Sequence, residues 1–331
     1  MKVKAKDIAK AAGVSTTAVS LVMNGKDSRI SEATREKILR VAREMAFQSE
    51  ISVEQSNNQR VKTIGTVVPD LTDPVFVRLI TYIQEYAFKK GYTVFSCTCG
   101  DDSERCCTTL ESLAIKNVDG LILIAPSTLE KEDKTTRLLH SFQDNGVPFV
   151  LLDRAIYSIF SDFVTTDNKY GGRVAAEKLV EMGASQIGCV LGPAQIYTTK
   201  KRFQGFQEGI ALSKKHYREQ DVFHGHFTEG SGREAFAALY TQGCDAAFVE
   251  NDVMAKGVIE AAAEKGLQLG KDFYVAAYDY DGEAKVISIQ QNLVLMAEKA
   301  VDRLIERIEE PEKMMPAGNF YITPTVNNGS I

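Results

Sequence analysis

The sequence predicts a small all-α helical head, a polar linker, and an α/β body of two doubly wound lobes with parallel sheets. Three observations predict it. Residues 1–47 carry helical periodicity and no strand pattern. Residues 48–61, QSEISVEQSNNQRV, are polar and short of large apolar groups. From Lys62 onward, apolar runs of strand length alternate with helical stretches, the pattern of parallel sheets covered on both faces.

The head reads as three short helices. The first covers Asp7 to Ala12 and stops at Gly13. The second runs from Thr16 to Met23, with Ser15 placed as N-cap. The third begins after Ser31 and aligns Ile38, Val41, Ala42 and Met45 in one apolar stripe. So short a unit makes a small core, and its stability alone is marginal.

In the body, KTIGTVVP, YTVFSC, VDGLILIA and VPFVLLD form a first series of strands. DFVTTD, QIGCVLG, VFHGHF, AAFVE and FYVAAYD form a second. Two series imply two similar lobes. Ligands of such sheets sit beyond the carboxyl ends of the strands, here in the cleft between lobes.

Composition narrows the class. The chain has 331 residues, 44% hydrophobic and 25% charged, which is ordinary for a globular protein of two or three domains. MKVKAKDIAK is basic, but no apolar segment follows it, so a secretory signal is not expected. No apolar run is long enough to span a bilayer, and a cytoplasmic location without membrane contact follows. The six cysteines fit a reducing compartment. Four lie in CTCGDDSERCC, whose spacing is not that of a zinc pair; they read as small buried side chains, with thiol sensing as the alternative. His224 and His226 share a strand face without a third ligand, so no metal and no cofactor is expected. Residues 1–60 carry a net charge of +4 and the remainder −9. A basic head on an acidic body suits a polyanionic partner for the head.

Two helices joined at Gly13 fit a helix-turn-helix, whose second helix enters the major groove. At about 100° per residue, Thr16, Ser20, Asn24, Thr17 and Leu21 fall across one arc of about 140°. Val19, Val22 and Met23 face the other helices, and the arc presents hydroxyl and amide groups suited to bases and phosphates. A three-helix packing module with an ordinary surface is the alternative.

The stretch KDIAKAAGVSTTAVSLVMNGKDSRISEATREKILRVAREMAF resembles the DNA-binding head of the lactose-repressor family of bacterial transcription regulators. Ala9, Ala12, Gly13, Val14, Ser15, Val19, Ser20, Asn24 and Gly25 carry the motif, and ISEATREKIL extends it. IGTVVPDLTDPVF, VDGLILIAP, VPFVLLDR, TDNKYGG, RFQGF, VENDVMAKG and AAYD are similar to family segments in the same order.

The resemblance implies a DNA-binding domain at 1–47, a hinge at 48–61 and an effector-binding and dimerisation body at 62–331. One lobe would take about 62–161 plus 293–322, the other about 162–292 plus 323–331. It implies a homodimer on double-stranded operator DNA, with a higher oligomer left open, and a small-molecule effector that changes DNA affinity. Ser15, Thr16, Thr17, Ser20, Leu21, Asn24 and Ser31 would contact DNA, with Val53 and Ser56 at hinge positions. Phe76, Asp153, Thr198, Arg202, Phe227, Asn251 and Asp279 would line the effector cleft. Carboxylate, guanidinium and amide groups suit a polyol, and aromatic faces cover its C–H surface. The alternatives are helix caps for Asp153 and Asp279 and core packing for Phe76 and Phe227.

Three departures matter. Leu21 stands where most relatives place Arg; it offers apolar contact to a thymine methyl or packs inward. In the hinge, Ser49, Glu50, Glu54 and Ser56 replace Pro, Asn, Arg and the Leu that wedges between base pairs, so operator binding is expected to be weaker or less kinked. Ile196 and Val75 stand where purine-sensing relatives use polar or aromatic groups, which favours a sugar. No G-x-S-x-G, Walker or H-E-x-x-H motif supports an enzyme. A regulator with weakened operator binding, or a cytoplasmic small-molecule-binding protein, is the remaining alternative.

Overall fold

The computed structural model describes residues 5–23, 30–42, 62–127, 134–156, 158–215, 217–282, 285–312 and 315–327. The chain divides into two compact units, Met1–Val61 and Lys62–Ile331.

The first unit holds α1 (Ala5–Ala12), α2 (Thr16–Met23) and α3, described over 32–42. Gly13 adopts φ +64, a left-handed conformation that costs glycine little, and Val14 N–H closes the turn on Ala9 O at 3.0 Å. Ser15 caps α2 as expected: Ala18 N–H donates to Ser15 Oγ at 3.2 Å. Ile8, Ala9, Ala12, Val19, Val22, Ile38 and Ala42 form the buried core. Met45 of the expected stripe lies outside the described residues. Met23 departs from the expectation: it is 56% exposed. It lies only about 20° from Thr16 around the helix, which places it at the edge of the outward arc rather than with the valines.

The second unit contains two six-stranded sheets among the described residues. The first uses β1 (Thr63–Val68), β2 (Thr93–Thr98), β3 (Gly120–Leu123), β4 (Phe149–Leu152), β5 (Asp162–Thr166) and β11 (Asn319–Ile322), in the order β11-β5-β4-β3-β1-β2, all parallel. Helices α4 (Pro74–Lys89) and α11 (Leu293–Glu309) cover one face; α5 (Ser103–Ile115) and α6 (Lys134–Asp144) cover the other. The second sheet uses β6 (Ile187–Leu191), β7 (Val222–His224), β8 (Ala246–Val249), β9 (Tyr274–Tyr278), β10 (Ile287–Gln290) and β12 (Thr325–Asn327). Its order is β12-β10-β9-β8-β6-β7. Helices α7 (Asn168–Glu181) and α8 (Tyr197–Leu212) pack on one face, α9 (Glu229–Thr241) and α10 (Asp252–Glu264) on the other.

The architecture is the expected one, with two corrections. DFVTTD, read as opening the second series, is β5 of the first sheet, so the first lobe extends to Thr166 rather than 161. Pairing decides this: Val150, Leu151 and Leu152 align with Asp162, Phe163 and Val164. The second sheet also ends on an antiparallel strand, β12 against β10. Strands β10, β11 and β12 have only three or four residues, too few alternations to register as periodicity.

The chain therefore crosses between lobes three times: after β5, after β10 and after β11. A buried carboxylate fixes the returning segment in the first lobe. Asp162 accepts from Arg303 at 3.1 Å, Arg307 at 2.5 Å and Gly318 N–H at 2.8 Å, joining β5, α11 and the start of β11.

Candidate DNA-reading helix and effector cleft

In α2, Thr16, Thr17 and Ser20 are exposed while Val19 and Val22 are buried. Leu21 is half-buried at the margin of the exposed face. Ser31 is exposed and precedes α3 as its cap: Thr34 and Arg35 N–H donate to its carbonyl at 3.0 and 2.9 Å. The helix thus presents hydroxyls and two apolar side chains, without charge. Asn24, Val53 and Ser56 lie outside the described residues.

Four of the seven residues expected to line the cleft, Asp153, Phe227, Asn251 and Asp279, follow the carboxyl ends of strands. Asp153 and Arg154 follow β4, Glu250 to Asp252 follow β8, Phe227 lies beyond β7, and Asp279 follows β9. Asp153, Phe227 and Asp279 have φ of +61, +58 and +53. Non-glycine residues held in that region are strained, and such strain persists where surroundings over-determine it.

Arg202 is the centre of the second lobe's contribution. It is 6% exposed and belongs to α8, which packs closely on α7. Gly172 and Gly205 permit this approach: a β-carbon at either would overlap a backbone carbonyl of the facing helix, Arg202 O or Lys169 O. The approach lets Arg202 Nε donate to Asn168 Oδ1 at 2.7 Å, while Nη1 donates to Glu250 O at 2.8 Å. The guanidinium also stacks 3.7 Å from the centre of the Tyr278 ring. Burial works against its charge, but Tyr278, Glu250, Asp153 and Asp279 outweigh that and raise its pKa. Glu250 is fully buried and accepts from Gly192 N–H at 2.6 Å and Thr199 Oγ at 2.8 Å.

Asp279 is anchored to the crossovers. Gln291 donates to it twice, from N at 2.9 Å and Nε2 at 2.6 Å, and Gln291 Oε1 accepts from Thr166 Oγ1 at 2.7 Å. Asp153 is buried, which pushes its carboxyl up; Arg202 and Arg154 oppose the shift and Asp279 adds to it. Arg202 and Asp279 on the second lobe therefore act on the charge of Asp153 on the first.

Other expected residues have mixed positions. Thr198 is 5% exposed in the first turn of α8, and Asn251 caps α10 by accepting from Met254 N–H at 3.0 Å. Phe227 lays its ring over Gly192. Phe76 belongs to the first lobe's core, under the Arg154 guanidinium at 5.4 Å.

Sequence reasoning missed Asp73, Asp101, Arg154, Asn168, Glu250, Asp252 and Gln291. Arg154 donates to Asp101 at 2.9 Å and to Ala125 O at 3.1 Å. Asp73 caps α4, accepting from Val75 N–H at 2.8 Å. The available signal was a polar residue directly after an apolar strand, as in LLDR and FVEND.

Residues 61–312 match the family model for periplasmic binding proteins and the sugar-binding domain of the LacI family. Residues 4–50 match that for bacterial regulatory proteins of the lacI family. The chain belongs to the LacI family. It is a DNA-binding transcriptional repressor of that family, a regulator and not an enzyme. It is 31% identical over 327 residues to the transcriptional repressor PurR of Haemophilus influenzae, covering 96% of this chain and 95% of the relative. It is 30% identical over 310 residues to PurR of Mannheimia succiniciproducens, covering 92% and 91%. Among solved structures, a CelR–cellobiose complex superposes with TM-score 0.71 at 25% identity, covering 98% of both chains. A lac repressor dimer bound to operator and the anti-inducer ONPF gives 0.72 at 25%, again covering 98% of both. LacI-family repressors bind operator DNA and small-molecule effectors and act as dimers. Among the described residues, no helix of this LacI-family chain is long and apolar enough to cross a membrane.

Proposed function

We propose that the chain is a cytoplasmic repressor whose operator affinity is set by a sugar bound between the lobes. The observation that carries this reading is the buried, charged Arg202 held by Asn168, Glu250 and Tyr278 beside Asp153 and Asp279. Such an array satisfies vicinal hydroxyls from both sides, with the half-buried Phe227 ring covering the C–H face. Ile196, 3% exposed at the start of α8, supplies no polar group for a nucleobase edge. The CelR neighbour, solved with cellobiose, adds support for a saccharide.

In the head, Thr16, Thr17 and Leu21 face bases, and Ser15, Ser20, Asn24 and Ser31 hold phosphates. The hinge residues Glu50, Glu54 and Ser56 weaken minor-groove docking. Two heads reach two half-sites through a dimer of the body. The exposed Phe88, Phe95 and Ile115, at 80%, 46% and 81%, supply an apolar dimer surface around edge strand β2.

Thermal melts of the full chain with a panel of mono- and disaccharides and nucleobases test the effector. A sugar raises the melting temperature, because a ligand of the folded state stabilises it by mass action. Stabilisation by nucleobases alone contradicts the sugar. A gel shift against the DNA upstream of its own operon tests the head; no shift at low salt contradicts operator binding.

A further inference from the structure

Carboxylates from both lobes lie within electrostatic reach of one another. Asp73 and Asp153 stand on the first lobe, Asp252 and Asp279 on the second. Asp252 raises the pKa of Asp73, and Asp279 raises those of Asp153 and Asp252, so the carboxylates face one another within electrostatic reach.

Two of the neighbouring cations have their strong contacts elsewhere. Arg154 pairs with Asp101 at 2.9 Å, and Arg202 is engaged by Asn168 and Glu250. Arg78 and Lys256 oppose the upward shift of Asp252, and Arg78 Nε is buried with no hydrogen-bond acceptor among the described residues.

A second observation points to a ligand. Asp252 is 4% exposed, and its Oδ1 is buried with no hydrogen-bond donor among the described residues. Beside it, Asn251 Nδ2 is buried with no acceptor. Unsatisfied buried groups of this kind are costly and are met by a ligand or water.

The charge pattern sorts the candidate ligands. A phosphate or carboxylate adds to the repulsion between facing carboxylates. A neutral hydroxyl supplies donors and leaves the charge. A protonated amine supplies donors and neutralises charge from both lobes at once, which favours lobe closure.

We infer that the effector is a polyhydroxy compound bearing a protonated amine, an amino sugar or close analogue, with the amine between Asp73 and Asp252. The Asn251 amide and Arg202 take its hydroxyls. This rests on the sugar reading above and narrows it. In support, burial, with repulsion from Asp252 and Asp153, pushes the Asp73 carboxyl up to about 6 while Val75 N–H and Arg154 oppose the shift. A cation beside Asp73 reverses that direction.

Isothermal titration of the full chain tests this with matched sets: glucosamine, glucose and glucose 6-phosphate, and the same three forms of galactose and mannose. In at least one set the amine binds about tenfold tighter than the neutral parent, the worth of one charge-assisted contact, and the phosphate does not bind. Asp73→Asn narrows that gap while the neutral parent still binds; Asp252→Asn does the same and serves if the first variant fails to fold. A neutral parent that equals or exceeds its amine in every set, or a phosphate that binds tightest, overturns the amine and leaves the sugar reading standing. Binding by no member of any set overturns both.

Discussion

The proposed reading helix and the proposed effector cleft are opposite solutions to presenting polar groups. Helix α2 is uncharged, and its hydroxyls stand exposed on a unit whose described residues bury a core of seven side chains. The cleft is highly charged, and its groups are buried and held by bonds from four or more loops. Changes on α2 should therefore alter recognition and spare stability. Changes at Arg202, Glu250 or Asp279 should alter both, because each of these also satisfies a neighbour.

The largest expected effect is at Arg202. Arg202→Leu leaves Glu250 and Asn168 short of their partner and costs about 3 kcal/mol of body stability, as for other broken buried pairs. Urea unfolding measures it; an unchanged midpoint would make the cleft as dispensable to folding as α2. Next comes specificity in the head. Leu21→Arg adds a donor that reaches guanine and should shift base preference by about 1–3 kcal/mol at one operator position. Operator selection from random DNA reads this out, and unchanged preference means that the half-buried Leu21 position packs inward.

Ser15→Ala removes the cap on α2 and should cost about 1 kcal/mol. The loss should show in the head's melting and leave the body's transition in place. An effect that depends on pH is expected at Asp73. Its folded-state value of about 6 lies above the usual 3.8, so the folded protein holds this proton more tightly than the unfolded chain. Its stabilising share is complete at pH below about 4 and is lost as pH rises through about 6. Asp73→Asn keeps a competent cap. It should therefore melt above the parent at neutral pH, with the gap closing on acidification. A gap independent of pH would assign that proton to another of the facing groups, Asp153 or Asp252. Smallest of all, Thr17→Ala should change stability by less than about 0.5 kcal/mol while lowering operator affinity. A larger stability loss would place Thr17 inside the head's packing and blur the contrast.

The same contrast explains what the sequence made legible. Repetition wrote the fold: apolar strands alternating with helices exposed both sheets, and one helical wheel separated Val19 and Val22 from Thr16, Thr17 and Ser20. Met23 was misjudged because it sits at the boundary of that wheel, where burial depends on what lies beside it. DFVTTD was misassigned to the second lobe because sheet membership is decided by pairing with β4, a long-range contact without local signature. The polar array at the strand ends was half legible. Asp153, Arg202 and Asp279 came with the family resemblance. Asp73 and Glu250 look in sequence like an ordinary helix cap and a strand-end carboxylate. The approach of Asp73 to Asp252 arises only when the two lobes are folded against each other.

The most direct test of the account is reciprocal linkage between cleft and head. The operator affinity of the full chain is measured on a selected operator, with and without the tightest-binding member of the sugar panel, for the parent and for Arg202→Leu. The ligand should change the parent's affinity by at least about fivefold and leave the Arg202→Leu affinity unmoved. Equal parent affinities with and without ligand, or an Arg202→Leu variant that responds like the parent, would contradict it.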